Sequence, residues 1–152
     1  MNIKGNIVTL RAVERSDATL LRELINDTET EKMLGGSSYP VSEHAQVAWI
    51  DGLDREQDTL RCIIENDTAG ESIGTVILSS IDFKNGNAEV HLKIANGSSR
   101  GKGYGTDAIR AIVNYGFTEL RLRCVYAQII EYNEPSVKLF TKCGFELEGV
   151  LK

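Results

Sequence analysis

Between Glu89 and Leu120 the chain changes period. Residues 88–95, AEVHLKIA, alternate apolar and polar side chains, the repeat of a strand with one wet face. Residues 99–106, SRGKGYGT, then place glycines at 101, 103 and 105. From Thr106 to Leu120 the apolar residues Ile109, Ile112, Val113, Phe117 and Leu120 recur at helical spacing. A strand, a glycine-rich loop and an amphipathic helix in that order leave few topologies. The helix has to fold back onto the sheet, and the bare loop then lies at its N-terminus. Backbone N–H groups and the positive end of the helix dipole converge there, so an anion such as phosphate or pyrophosphate is suited to the position. Arg100 and Lys102 add positive charge. The loop is not a nucleotide-triphosphate P-loop, because Gly103 follows Lys102 where Ser or Thr belongs. It is a poor dinucleotide fingerprint too: Thr106 stands at the third glycine position, and the strand before it shows Glu89, His91 and Lys93 on one face. A plain flexible loop before a helix is the alternative at this stage.

The remaining elements set the fold class. Ile7–Val13 reads as a strand. Ser16 or Asp17 caps a helix carrying Leu20, Leu21, Leu24 and Ile25, and Gly35, Gly36 and Pro40 mark a loop. Ser42 and Glu43 open a second helix with Val47, Trp49 and Ile50. LRCIIEN and SIGTVILSSID read as strands joined by DTAG, and KNGN turns the chain into AEVHLKIA. After the long helix, RCVYAQIIE reads as a buried, partly parallel strand, NEPSVKLFTKCG as a short helix capped by Asn133 and ended by Gly144, and FELEGVL as a last strand. The expectation is an α+β protein: a mixed, mostly antiparallel twisted sheet flanked by helices, in one domain over residues 1–152.

Composition narrows the function. A net charge of −5 argues against nucleic acid and weakly favours a cationic small substrate. No apolar run reaches the length of a membrane span, and the N-terminus has no apolar signal core. Three cysteines, Cys62, Cys124 and Cys143, with only two histidines, show no metal-ligand spacing, so no metal and a reducing cytoplasm are expected.

A second motif, YNEPSVKLFTKCGF at Tyr132–Phe145, decides between the readings of the glycine loop. Arg100-x-x-Gly103-x-Gly105 resembles the pyrophosphate loop of the GNAT superfamily of acyl-CoA-dependent N-acetyltransferases. The pattern Asn133-x-x-Ser136-x-x-Leu139-Phe140-x-Lys142-x-Gly144-Phe145 resembles that superfamily's second cofactor segment. The N-terminal half resembles the branch that holds ribosomal-protein N-terminal and spermidine or diamine acetyltransferases. The resemblance implies the GNAT-like acyl-CoA N-acyltransferase fold, with acetyl-CoA as cosubstrate and a primary amine of a small molecule or a protein N-terminus as acceptor. It implies direct attack of the amine on the thioester. Backbone groups of Lys93, Ile94 and Ala95 are expected to pair with the pantetheine arm, and Arg100, Gly101, Lys102, Gly103, Tyr104, Gly105 and Thr106 to hold the pyrophosphate. Asn133, Ser136, Phe140 and Lys142 are expected on the cofactor, with a helix cap as the plainer role for Asn133 and a solvated surface for Lys142.

Glu89 is the first choice for general base and His91 its rival, the alternative being that both only wet one face of a strand. Two departures stand out. Phe140 occupies the position where many relatives carry a tyrosine that protonates the leaving thiolate, which keeps open a regulatory acyl-CoA-binding module with little or no catalysis. The sequence given also stops at Lys152, where relatives continue into a further strand. The expectation is a sheet lacking that strand, or one completed by a partner subunit in a homodimer. The acceptor pocket is expected around Gly35–Trp49. Glu29, Glu31 and Glu43 could attract a cation there, a solvated surface being the simpler explanation.

Overall fold

A computed structural model describes residues 1–27, 39–95 and 102–150. Its elements are β1 (Ile3–Lys4), β2 (Val8–Arg11), a 3-10 turn (Arg15–Asp17), α1 (Ala18–Asn26), α2 (Glu43–Asp51), a second 3-10 turn (Leu53–Arg55), β3 (Leu60–Asn66), β4 (Ser72–Asp82), β5 (Asn87–Ile94), α3 (Tyr104–Thr118), β6 (Cys124–Tyr126) and α4 (Glu134–Lys142). The strands form one sheet in the order β1-β2-β3-β4-β5-β6. Every pair from β1 to β5 is antiparallel, and β6 joins β5 in parallel after the α3 crossover. The mixed, mostly antiparallel α+β sheet is as expected.

Strand alternation divides the side chains between two faces. Val8, Leu10, Cys62, Ile64, Val76, Leu78, Ala88 and Val90 meet Ala108, Ile109, Ala111 and Ile112 of α3 in the main core. The opposite face carries Arg61, Ile63, Thr75, Ile77, Glu89, His91 and Lys93, with α1 and α2 on that side. Gly74, on the core face with Val76, permits the tight β4–β5 approach, since a Cβ on it would run into the Lys93 carbonyl.

Local chemistry explains the boundaries. Ser42 Oγ accepts from Ala45 N–H at 3.1 Å and starts α2. Asp17 does not cap α1 with its side chain as expected. Its carboxylate instead accepts from Glu14 N–H at 2.7 Å and takes a two-pronged bond from Arg11, 2.8 Å to each oxygen. Gly144, at φ +93°, ends α4.

Two strand expectations fail. RCVYAQIIE yields only Cys124–Tyr126, and Cys124 and Tyr126 are exposed rather than buried. A strand needs a ladder, and pairing with β5 stops at Glu89↔Tyr126. Ala127 and Ile129 still lean on the core from a non-strand path. Residues 145–150 of FELEGVL likewise form no strand; Leu147 is 86% exposed, and only Phe145 of this segment packs inward.

Candidate functional site

β5 runs on from Glu89 to Ile94 after β6 has left it. This opens a notch between β5 and the chain after Tyr126. Ala95 N–H donates to the Ile73 carbonyl at 2.8 Å, so Ala95, and by alternation Lys93 and His91, turn their backbone groups toward β4. The groups facing the notch belong to Val90, Leu92 and Ile94. Of the three residues expected to pair with a pantetheine arm, Ile94 alone points its backbone that way, and Leu92 joins it.

The N-terminus of α3 lies just past the end of β5. Gly103 caps the helix in the left-handed region at φ +81°, with nothing within 4 Å of where a Cβ would sit. The first helical bond runs from Asp107 N–H to the Gly103 carbonyl at 3.1 Å, and the N–H groups of Tyr104, Gly105 and Thr106 lie ahead of it. This open, exposed cap fits an anion. Arg100 and Gly101 lie outside the described residues, and Lys102 is exposed. Gly105 also has a packing reason to be glycine. A Cβ there would meet Leu139 Cδ1 at 2.9 Å and Leu92 Cδ2 at 3.1 Å, so the bare residue lets α3 close on α4 and β5.

Asp107, which the sequence reading passed over, fixes the start of α3. Its buried carboxylate accepts from the backbone N–H groups of Asn6, Ile7 and Val8 at 3.0, 2.8 and 3.0 Å. Gly5 leaves room for it, because a Cβ at Gly5 would overlap the carboxylate.

On α4, Asn133 is buried and its side chain accepts from Ser136 N–H at 3.3 Å, the capping role. Phe140 is 6% exposed and stacks edge-on against Phe145, centroids 5.0 Å apart. Its ring therefore belongs to the core rather than to an open wall. Lys142 is exposed, and its carbonyl accepts from Arg110 at 3.2 Å.

Glu89 and His91 share the face opposite α3, as expected. His91 Nε2 lies 2.9 Å from Ser79 Oγ and 3.6 Å from Glu89 Oε2. Both partners address the same ring nitrogen, so the trio is not a nucleophile–base–orienter relay, which needs one partner on each nitrogen. Glu89 is the better shielded, its side chain 18% exposed against 46% for His91.

One cross-strand row further along the same face lies a cavity of about 440 Å³. α1 contributes Leu21, Leu24 and Ile25; α2 contributes Ala45, Gln46 and Trp49; the sheet contributes Arg61, Thr75, Ile77 and Lys93. Val41, Ala45, Gln46 and Trp49 of its lining fall in the stretch where the acceptor pocket is expected. Residues 28–38, with Glu29, Glu31, Gly35 and Gly36, lie outside the described residues. Arg61 sits 5.0 Å over the Trp49 ring and its Nε bonds Glu56 at 2.8 Å. Among the described residues there is no metal-binding cluster, and no helix is long and apolar enough to cross a membrane.

A sheet that parts beside a helix N-terminus, with a half-open cavity on its other face, leaves room for two partners at one strand. Residues 8–146 match the model of the acetyltransferase (GNAT) domain, and the chain belongs to that family. It is thus an N-acetyltransferase that uses acetyl-CoA to acetylate an amine. It is 31% identical over 147 residues to an uncharacterized N-acetyltransferase of Bacillus licheniformis, covering 95% of this chain and 82% of that one. It is also 31% identical to the spermidine N(1)-acetyltransferase of Escherichia coli, over 95% of this chain and 75% of the relative. Among solved structures, the spermidine N-acetyltransferase of Vibrio cholerae in complex with CoA and spermine superposes with a TM-score of 0.85 at 28% identity, covering 93% of this chain and 82% of that chain.

Proposed function

We propose that acetyl transfer takes place where β5 leaves β6, with acetyl-CoA in the notch and the amine entering from the α1–α2 face. The termination of the β5–β6 ladder at Glu89, with β5 continuing to Ile94, carries this reading. Acetyl-CoA supplies an activated acyl group whose thiol is a fair leaving group. The notch-facing N–H and C=O groups of Leu92 suit a pantetheine amide laid along the strand, as in β-augmentation. A notch-facing N–H also polarises the thioester carbonyl. The cap at Gly103 and the N–H groups of Tyr104, Gly105 and Thr106 receive the diphosphate. Asn133, the buried cap of α4, orients the arm.

The acceptor arrives as an ammonium with a pKa near ~10.4 and must lose a proton before its nitrogen can attack. Glu89 takes that proton through water, and His91 and Ser79 hold the carboxylate's surroundings in place. Phe140 has no proton to give, so the departing thiolate is protonated by solvent.

The test is thiol release from acetyl-CoA with a panel of amines. Glu89→Gln should lower kcat by roughly 10²-fold or more with little change in the KM for acetyl-CoA. Gly103→Val should instead weaken coenzyme A binding, because it puts a branched side chain at positive φ over the diphosphate seat. Unchanged coenzyme A affinity in a folded Gly103→Val protein would refute that seat.

A further inference from the structure

The end of the β5–β6 ladder also places a phenol. Tyr126 is the last residue of β6, and its partner in the parallel register is Glu89. One position back, Val125 pairs with Ala88, and both pack on the core side of the sheet. By alternation Tyr126 stands on the other side, the face of Glu89 and His91. Tyr126 is 36% exposed, and its hydroxyl has no partner among the described residues, so its proton is uncommitted.

The length of the cofactor arm says what lies next to that phenol. The diphosphate seat is at the start of α3, where a Cβ on Gly105 would meet Leu92 and Ile94, so the seat lies at the Ile94 end of β5. An arm laid along the notch from there runs back toward Glu89. Pantetheine has about twelve chain atoms between diphosphate and sulfur, the length of roughly four residues of extended backbone, ~13 Å. Four residues back from Ile94 is Val90, next to the row that Glu89 shares with Tyr126. The arm takes up the line that β6 leaves, so its sulfur comes to rest beside the last side chain of β6.

We propose that Tyr126 gives the departing thiolate its proton. The inference rests on the transfer reading above, in which that proton comes from solvent, and adds the group that hands it over. The amine gives up two protons, the first through water to Glu89 before attack and the second to solvent as the N–C bond forms. The C–S bond breaks, and the Tyr126 hydroxyl gives its proton to sulfur. Water then restores the phenol, and Glu89 returns its proton to water, so each turnover releases one proton. Base and acid stand in one row on adjacent strands, at the point where those strands part.

Binding and rate test this separately. A free thiol ionises near ~8.5 and a phenol near ~10, so in alkaline solution a bound thiolate meets the phenol first and opposes its ionisation. Phenolate absorbance should show one tyrosine moved up by about half a unit or more with coenzyme A, and not with desulfo-coenzyme A. Tyr126→Phe should abolish that shift. In single turnovers of acetyl-CoA with an amine, the same variant should react at least about tenfold more slowly. Its coenzyme A affinity and melting temperature should stay near those of the parent, because the ring is kept. No shift with coenzyme A, a shift that persists in Tyr126→Phe, or a parent-like single-turnover rate overturns the proposal. So does a loss of rate that follows Tyr132→Phe instead. Failure of Tyr126 alone leaves the transfer site standing, whereas unchanged coenzyme A affinity in Gly103→Val removes the diphosphate seat itself.

Discussion

Replacing Asp107 with alanine tests the contact that sets the start of α3. Three backbone N–H groups spend themselves on this one carboxylate, and they respond differently to its loss. Val8 is fully buried, so its N–H is left dry and unpaired, at a cost of about 1–3 kcal/mol. Ile7 is 40% exposed, so its N–H and that of Asn6 regain water and lose only part of a charge-assisted bond, about 0.5–1 kcal/mol each. The total is about 3 kcal/mol, within a factor of two. For a chain of 152 residues this lowers the melting temperature by roughly 10 °C. Asp107→Asn keeps one acceptor oxygen and should lose about half as much. Urea unfolding gives the answer directly, as a shift in midpoint at constant slope. The same variant should weaken coenzyme A binding at temperatures where it is fully folded, since the contact aims the helix terminus. A loss below about 1 kcal/mol at unchanged slope would show that the amides find water as easily as carboxylate, and the account of this helix start would be wrong.

Three more outcomes follow from single contacts. Gly105→Val forces branched carbons against Leu139 and Leu92 and should cost about 2–3 kcal/mol in urea unfolding, whereas Gly103→Ala, in open space, should cost only about 1 kcal/mol of backbone strain. Burial pushes the Asp17 carboxyl up, but the bonds from Arg11 and from Glu14 N–H outweigh it and hold the group below its usual range. A depressed folded-state pKa contributes stability above the unfolded value of about 3.9 and loses it as pH falls through the folded value, so the stability gap between the parent and Asp17→Asn should be full near neutrality and close below about pH 4 in melts across pH. Burial raises the Cys62 thiol to about 11, while Cys124 is exposed. A thiol reagent at pH 8 should therefore modify Cys124 in the native protein and reach Cys62 only on unfolding, a background to subtract from any assay that counts released coenzyme A thiol.

What the sequence made legible was local. Helix starts with a cap in place, such as Ser42 and Asn133, and strands with strict alternation, such as β5, stand where their spacing puts them. Segments that depend on a distant partner were misread. Val125, Ile129 and Ile130 look like a buried strand, but strand geometry is a property of a ladder, and the ladder ends at Tyr126. The same limit hid Asp107, whose partners lie about a hundred positions earlier in the chain, and the packing role of Gly105. Gln46 and Thr75 carried no local signal at all, since a glutamine on a helix and a threonine in a strand are ordinary until both are found lining one cavity. In hindsight the Gly5–Asn6 turn had one legible feature: a bare residue next to a strand start invites a close approach from elsewhere.

β5 ties these observations together, because a strand offers three directions and this one uses each differently. Side chains of Ala88, Val90, Leu92 and Ile94 point into the core beneath α3. Side chains of Glu89, His91 and Lys93 point to the opposite face. The backbone of Val90, Leu92 and Ile94 faces the notch in the plane of the sheet. On the proposed reading the cofactor edge and the acceptor face are interleaved at single-residue spacing, which brings an amine on one face within a strand's width of a thioester at the edge. The arrangement also makes register decisive. A slip of one residue between β4 and β5 would bury Glu89, His91 and Lys93, expose Val90 and Leu92, and turn the Lys93 and Ala95 backbone to the notch. Gly74 guards against that slip: only a residue without a side chain fits against the Lys93 carbonyl, so Gly74→Ala should disturb both binding sites at once, raising the KM for acetyl-CoA and for the amine together where a substitution inside either site raises only one.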